Sequence, residues 1–156
     1  MMGFLKCILY AAAIGVGSFI LGRLLPHKLF SPDHPPFRCL SFEDGGKIYN
    51  RIFKVKKWQN RLPDMSRIFP FLMQEKKVKG SFQRDLPAMI SETCIAEWIH
   101  GLLCILALPC IFIWPGPGGL CFTILYILGN LPFMIIQRYN RPRLTAIQRR
   151  LQPEAQ

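Results

Sequence analysis

Charge and apolar residues are kept apart along this chain, and that separation constrains its fold more than any other feature. Three stretches are almost free of charge: Cys7–Gly22 (CILYAAAIGVGSFILG), Ile95–Ile113 and Gly118–Ile136. The second, IAEWIHGLLCILALPCIFI, holds one carboxylate and one histidine in nineteen residues, and the third, GGLCFTILYILGNLPFMII, is uncharged over nineteen. At the helical rise of about 1.5 Å per residue these runs cover about 28 Å, close to the hydrocarbon thickness of a bilayer. The first run is sixteen residues long, and Leu24 and Leu25 extend it towards a full span. The expected fold class is therefore an all-α membrane protein with three transmembrane helices. A cleaved signal peptide is the alternative for the first run. No small-x-small site follows its apolar middle, so a retained anchor is expected.

Composition excludes other classes. A chain that is 51% hydrophobic is too apolar to be disordered. Its six cysteines (7, 39, 94, 104, 110, 121) form no CxxC pair, which speaks against a disulfide framework. The net charge of +11, from 20 Lys+Arg against 9 Asp+Glu, would suit a nucleic-acid binder. Position gives it another meaning. Fourteen basic residues lie between Arg23 and Ser91, five follow Ile136, and the connection Trp114–Gly119 (WPGPGG) carries none. Basic loops face the cytoplasm. The expectation is a multi-pass cell-membrane protein with the N-terminus outside and residues 23–93 and 137–156, hence the C-terminus, cytoplasmic. That arrangement accounts for 19 of the 20 basic residues, and no nucleic-acid partner is expected. The chain divides into an N-terminal span or signal anchor (1–25), a basic loop (26–93), a transmembrane helical hairpin (94–136) and a basic tail (137–156).

The loop is more than a linker. Residues 26–38 (PHKLFSPDHPPFR) are Pro-rich, and Glu43–Gly46 (EDGG) reads as a turn. In residues 49–64 (YNRIFKVKKWQNRLPD), Ile52, Phe53, Val55 and Trp58 alternate with Arg51, Lys54, Lys56 and Lys57. Residues 65–82 (MSRIFPFLMQEKKVKGSF) repeat that composition. Such a segment suits an amphipathic cytoplasmic loop lying against anionic inner-leaflet lipids. The plainer reading is a solvated loop without chemistry.

Ionisable residues at the ends of the second and third spans are the candidates for chemistry. Glu92 sits near the interface, Glu97 is deeper, and His100 lies three residues beyond it on the same helix face. Ionisable groups inside a span are costly and mark function by default. A carboxylate beside an imidazole fixes its tautomer and raises its basicity, as a general base requires. The third span leaves as IIQRYNRPRL, with Arg138, Arg141 and Arg143 at the boundary and Pro142 expected to end the helix. The tight WPGPGG turn makes the two spans antiparallel neighbours. Pairing Ile113 with Leu120 sets Glu97 level with Ile136, His100 with Phe133, and Glu92 with Arg141. Asn130 is the other strong polar group on the third helix. Each has a structural reading as well. The arginines serve as boundary anchors, Glu97 pairs with Arg138 to hold the bundle, and His100 is a hydrogen-bonded core residue. The Glu-x-x-His spacing lacks further ligands, so no metal site is expected. Ala11 and Gly15, four apart, are a weak helix–helix signal, and no oligomeric state follows from them.

Three motifs, ETCIAEWIH (92–100), QRYNRPRL (137–144) and FKVKKWQNRLPD (53–64), resemble the glycosyl-4,4'-diaponeurosporenoate acyltransferases of staphyloxanthin-type carotenoid synthesis. The resemblance covers most of residues 40–150, and QRYNRPRL is its most specific part. It implies transfer of a fatty acyl group to the primary hydroxyl of a sugar on a carotenoid acid. Glu92, Glu97, His100, Arg138, Asn140, Arg141 and Arg143 fall on the matching positions, as do Trp58, Asn60 and Asp64. The His-x4-Asp pattern of other acyltransferases is absent, since GLLCI follows His100. The expected mechanism has His100, oriented by Glu97 with Glu92 nearby, accept the proton of the attacking hydroxyl. Arg138 and Arg141 would hold the donor phosphates or the oxyanion, with Asn140 and Arg143 beside them. Trp58 and the lysines of residues 54–57 would position the loop and the acceptor headgroup, with Asn60 and Asp64 as further substrate-binding candidates. An acyl thioester is the expected co-substrate and no bound cofactor is expected. The acceptor is a glycosylated carotenoid or another membrane lipid. The competing reading is a non-enzymatic assembly or lipid-binding protein that uses its basic loop as a clamp.

Overall fold

The computed structural model describes residues 2–62 and 82–151. Three long helices carry the architecture, and no strand occurs among the described residues. Helix α1 spans Met2–Leu24. Two short helices follow in the loop, α2 (Lys47–Phe53) and α3 (Val55–Trp58). Helix α4 runs from Phe82 to Leu106, α5 is the single turn Cys110–Ile113, and α6 extends from Pro117 to Leu151. Helix α1, the α4–α5 segment and α6 are each long and apolar enough to cross a membrane.

The helix directions follow from a few side-chain meetings. At one end, the Phe4 ring meets Trp114 and Phe122 edge-on, with centroids 5.9 and 6.2 Å apart. At the other, Gly22 faces Ile95 and Ile99. Thus α1 runs antiparallel to α4, and α4 antiparallel to α6. The N-terminus and the Trp114–Gly119 turn share one end, and the loop and tail share the other. That turn admits little substitution, because a Cβ on Gly119 would lie 2.6 Å from the Cys110 carbonyl oxygen. Large apolar side chains face outward along the long helices, among them Leu9 and Val16 on α1 and Leu125 and Leu128 on α6. Such outward apolar faces are suited to hydrocarbon rather than to water.

Two helix boundaries differ from the sequence expectation. The second long helix begins at Phe82, well before its apolar part. The third continues through both Pro132 and Pro142 to Leu151. Pro142 supplies no N–H for the Arg138 carbonyl, a loss that usually kinks or ends a helix. Here the neighbouring residues hold the backbone in place. Arg141 is anchored on α4 and the loop, and Gly46 lies directly over the Arg138 and Tyr139 carbonyls.

The loop docks on the Arg-rich end of the helix pair. Phe30 and Phe37 bury against Cys94 and Ile95, with Leu25 and Ile99 beside them. The following turn, Ser41–Gly46, places Asp44, Gly45 and Gly46 at φ of 46, 60 and 85°. That left-handed run reverses the chain and directs Glu43 inward, where it is 2% exposed. Gly46 is required twice over, by its φ and by its approach to α6. A Cβ there would stand 2.9 Å from the Tyr139 carbonyl oxygen.

Candidate functional site

A buried cluster of two carboxylates and two guanidinium groups joins the loop, α4 and α6. Glu97 is 7% exposed and Arg141 2% exposed. Arg138 Nε donates to Glu97 Oε1 at 2.6 Å, and Arg141 Nη2 donates to Glu97 Oε2. The two arginines thus hold one carboxylate from both sides. Arg138 Nη1 also reaches Glu43 Oε1 and the Arg38 carbonyl, each at 3.3 Å, while its Nη2 donates to the Pro36 carbonyl at 2.6 Å. Arg141 Nε donates to Thr93 Oγ1, Nη1 to the Phe37 carbonyl and Nη2 to the Thr93 carbonyl, at 3.0, 2.8 and 3.1 Å. Its guanidinium also lies over the Phe37 ring. Among the described residues four acceptors therefore surround each arginine, and the two negative charges balance the two positive ones. Fully paired ions of this kind persist at low dielectric, whereas a lone one would not.

Glu43 was missed as a site residue, because its sequence context reads as a turn. Its carboxylate accepts the Leu40 N–H at 2.6 Å, the Tyr49 hydroxyl and Arg138 Nη1. Burial pushes the Glu43 carboxyl up, but the bonds from Tyr49 and Leu40 and the Arg138 charge outweigh it. The group ends below the ordinary glutamate value. Tyr49 moves the other way, raised by burial and then by its bond to Glu43. The only hint in the sequence is a carboxylate set between Phe42 and a Gly-Gly pair within a strongly basic loop.

One turn deeper, His100 has a different partner from the one expected. Glu97 is committed to the arginines, and His100 Nδ1 lies 2.8 Å from Asn130 Oδ1. Asn130 Nδ2 donates to the Tyr126 carbonyl at 2.9 Å, which fixes the amide with its oxygen towards the imidazole. An amide oxygen only accepts, so Nδ1 carries the proton and Nε2 keeps its lone pair. The imidazole is stacked on Phe133 at 4.7 Å between centroids and 8° between planes, in the register anticipated from the tight turn. The carboxylate–imidazole dyad is thus corrected to an amide–imidazole pair. The physical reason is charge. Two guanidinium groups compete for Glu97, and a neutral imidazole cannot match them.

The remaining candidates divide. Arg143 is exposed, with its guanidinium 4.8 Å over the ring of Tyr139. Asn140 and Arg143 line a groove of about 280 Å³ along the α4–α6 seam, together with Thr93 and Gln137. Glu92 is half-buried on α4. Trp58 is turned to the loop itself, its Nε1 donating to the Phe53 carbonyl at 2.6 Å, and Asn60 is exposed. Neither is joined to the charge cluster by a hydrogen bond among the described residues. Asp64 lies outside the described residues, as do residues 65–81 of the loop. No group of three or more His, Cys, Asp or Glu side chains suited to a metal ion gathers among the described residues.

Proteins named glycosyl-4,4'-diaponeurosporenoate acyltransferase from Staphylococcus aureus strains bovine RF122 / ET3-1 and MRSA252 are each 32% identical to the chain over 145 residues. The match covers 92% of this chain and 86% of each relative. The counterpart from strain USA300 is 31% identical over the same share. No solved structure matches the chain. The family model described as glycosyl-4,4'-diaponeurosporenoate acyltransferase matches residues 26–150, which includes the docked loop, the charge cluster and His100. The chain belongs to the glycosyl-4,4'-diaponeurosporenoate acyltransferase family and is an acyltransferase.

Proposed function

We propose that this acyltransferase moves a fatty acyl group from an acyl thioester to a sugar hydroxyl of a glycosylated carotenoid acid or a similar glycolipid. The observation that carries this reading is the His100–Asn130 pair, which leaves Nε2 as a base inside the span. His100 Nε2 takes the hydroxyl proton while the sugar oxygen attacks the thioester carbonyl. The tetrahedral intermediate collapses with loss of the C–S bond, and the imidazolium returns its proton to the departing thiolate. The charge cluster holds α4, α6 and the loop in one arrangement, so that the imidazole stays in place between turnovers. Acceptor and acyl chain enter from the bilayer, and the thioester approaches from the cytoplasm, the side to which the positive-inside bias assigns the Arg-rich end. The loop lies on anionic inner-leaflet lipids through Lys54, Lys56 and Lys57.

The test is mass spectrometry of glycolipids from cells supplied with a glycosylated carotenoid acid and expressing the chain or its His100→Ala variant. The wild type should add the mass of one acyl chain to the glycoside. The variant should insert into membranes to the same level and lose at least about a hundredfold in product, as expected for removal of a general base. Product formation within threefold of wild type by His100→Ala would reject the mechanism. Acylation of a lipid without a sugar would reject the acceptor.

A further inference from the structure

The arginines that a sequence reading would give to the donor phosphate are enclosed by protein acceptors, which leaves open what does bind it. The α4–α6 groove supplies the answer. Its polar lining is Gln137, Asn140 and Arg143 with the Thr93 hydroxyl, and Met89, Leu144 and Ile147 complete it with apolar surface. Among the described residues no carboxylate lines it, and Arg143 is its one charge. The buried Tyr139 ring beneath the guanidinium holds that charge near the groove mouth.

The groove also points at the base. Positions 130, 133, 137, 140, 144 and 147 follow the three-four spacing of one helix face, so the groove wall on α6 continues the stripe that carries Asn130 and Phe133. On α4, Met89, Thr93 and His100 form the facing stripe by the same spacing. Arg143 stands ten residues beyond Phe133, a separation of about 15 Å along the helix. A ligand lying in this groove needs an anionic end, an amide-bearing middle to meet Gln137 and Asn140, and a reactive end reaching the seam at His100.

We propose that the groove binds the phosphopantetheine arm of the acyl donor, with its phosphate on Arg143, its amides along Asn140 and Gln137, and its thioester at His100. The assignment deepens the thioester reading above and rests on it. The arm is common to coenzyme A and to acyl carrier protein, and the site recognises that shared chemistry.

Binding tests it independently of turnover. Full-length protein in nanodiscs is titrated with 4'-phosphopantetheine and with pantetheine, which lacks the phosphate. Wild type should bind the phosphorylated compound about tenfold or more tightly than pantetheine, the effect of one charge-assisted contact, and Arg143→Ala should abolish the difference. Arg143→Lys should restore part of it, while Arg143→Ala should leave the helical content unchanged. In turnover, Arg143→Ala should raise KM for the acyl thioester and leave kcat within about threefold, since the contact is uniform between ground and transition states. Competition by coenzyme A or by phosphopantetheinylated carrier protein then identifies the physiological source, and either supports the site. Equal binding of the two probes by wild type would overturn the proposal, as would discrimination that survives Arg143→Ala. If phosphopantetheine binds as described but no thioester supports acylation, the groove assignment stands and the thioester mechanism falls.

Discussion

Replacing Glu97 with Gln separates a structural carboxylate from a catalytic one. Glu97 is 7% exposed and accepts from Arg138 Nε and Arg141 Nη2. The substitution keeps the shape of the side chain but removes its charge, so the cluster changes from neutral to one net positive charge. It also sets an amide NH2 against a guanidinium. Removing one partner of a buried ion pair costs about 3–5 kcal/mol, and two charge-assisted bonds at about 1.5–3 kcal/mol each give a similar sum. Glu43 still balances Arg138, which places the expected loss near the lower end, about 3 kcal/mol. Glu97 is the one carboxylate that Arg141 bonds among the described residues, so Arg141 bears most of the cost. The assay is reversible unfolding in detergent micelles, combined with Arg141→Met alone and the double variant. Each single variant should lose about 3 kcal/mol or more, and the double variant should lose clearly less than their sum, because it leaves no unpaired charge. At temperatures where Glu97→Gln remains folded, it should retain activity within about tenfold of wild type, whereas His100→Ala should lose at least about a hundredfold. Stability within 1 kcal/mol of wild type together with abolished turnover would falsify the clamp and return Glu97 to the chemistry.

Further outcomes follow from the same geometry. Asn130→Leu should lower kcat by about 10–100-fold with little change in thioester KM, because His100 loses the amide that fixes its tautomer; steady-state kinetics checks it. Gly46→Ala should cost about 1–3 kcal/mol in unfolding experiments, since the residue is at φ +85 and its Cβ would meet the Tyr139 carbonyl. Glu43 sits below the ordinary value of 4.5, so its contribution to stability is complete above that pH and is lost as pH falls through its folded value. Unfolding midpoints should therefore drop below about pH 4.5 in the wild type, and more weakly in Glu43→Gln, which starts from lower stability.

Part of the site could be read directly from the residues. The Glu97 and His100 positions, their shared face, and the level of His100 opposite Phe133 follow from helical spacing and the tight WPGPGG turn. Both inputs are local. The Glu97–Arg138 pair was among the readings the residues offered, but the partners of His100 and Arg141 were not legible, because hydrogen-bond choice depends on competition among all groups brought within reach. Glu97 had Arg138, Arg141 and His100 as candidates, and the guanidinium groups took both oxygens. Asn130 could be recognised as polar but not as the partner of His100, which depends on the rotation of α6 about its own axis. Glu43 was hidden for another reason. Its burial depends on three successive left-handed residues that turn it inward, and on a contact some ninety-five residues away in sequence.

The sequence by itself determined three apolar spans, the basic character of the loop and tail, and the family, because length, hydropathy and motif are properties of contiguous residues. Tertiary structure decided how the loop is used. It carries Glu43 and the carbonyls of Pro36, Phe37 and Arg38 onto the arginines of α6, so that a stretch read as Pro-rich chain and a turn becomes part of the cluster that holds the helices together. A buried charge must find its full set of acceptors wherever the chain can deliver them, and only the folded chain shows where they come from.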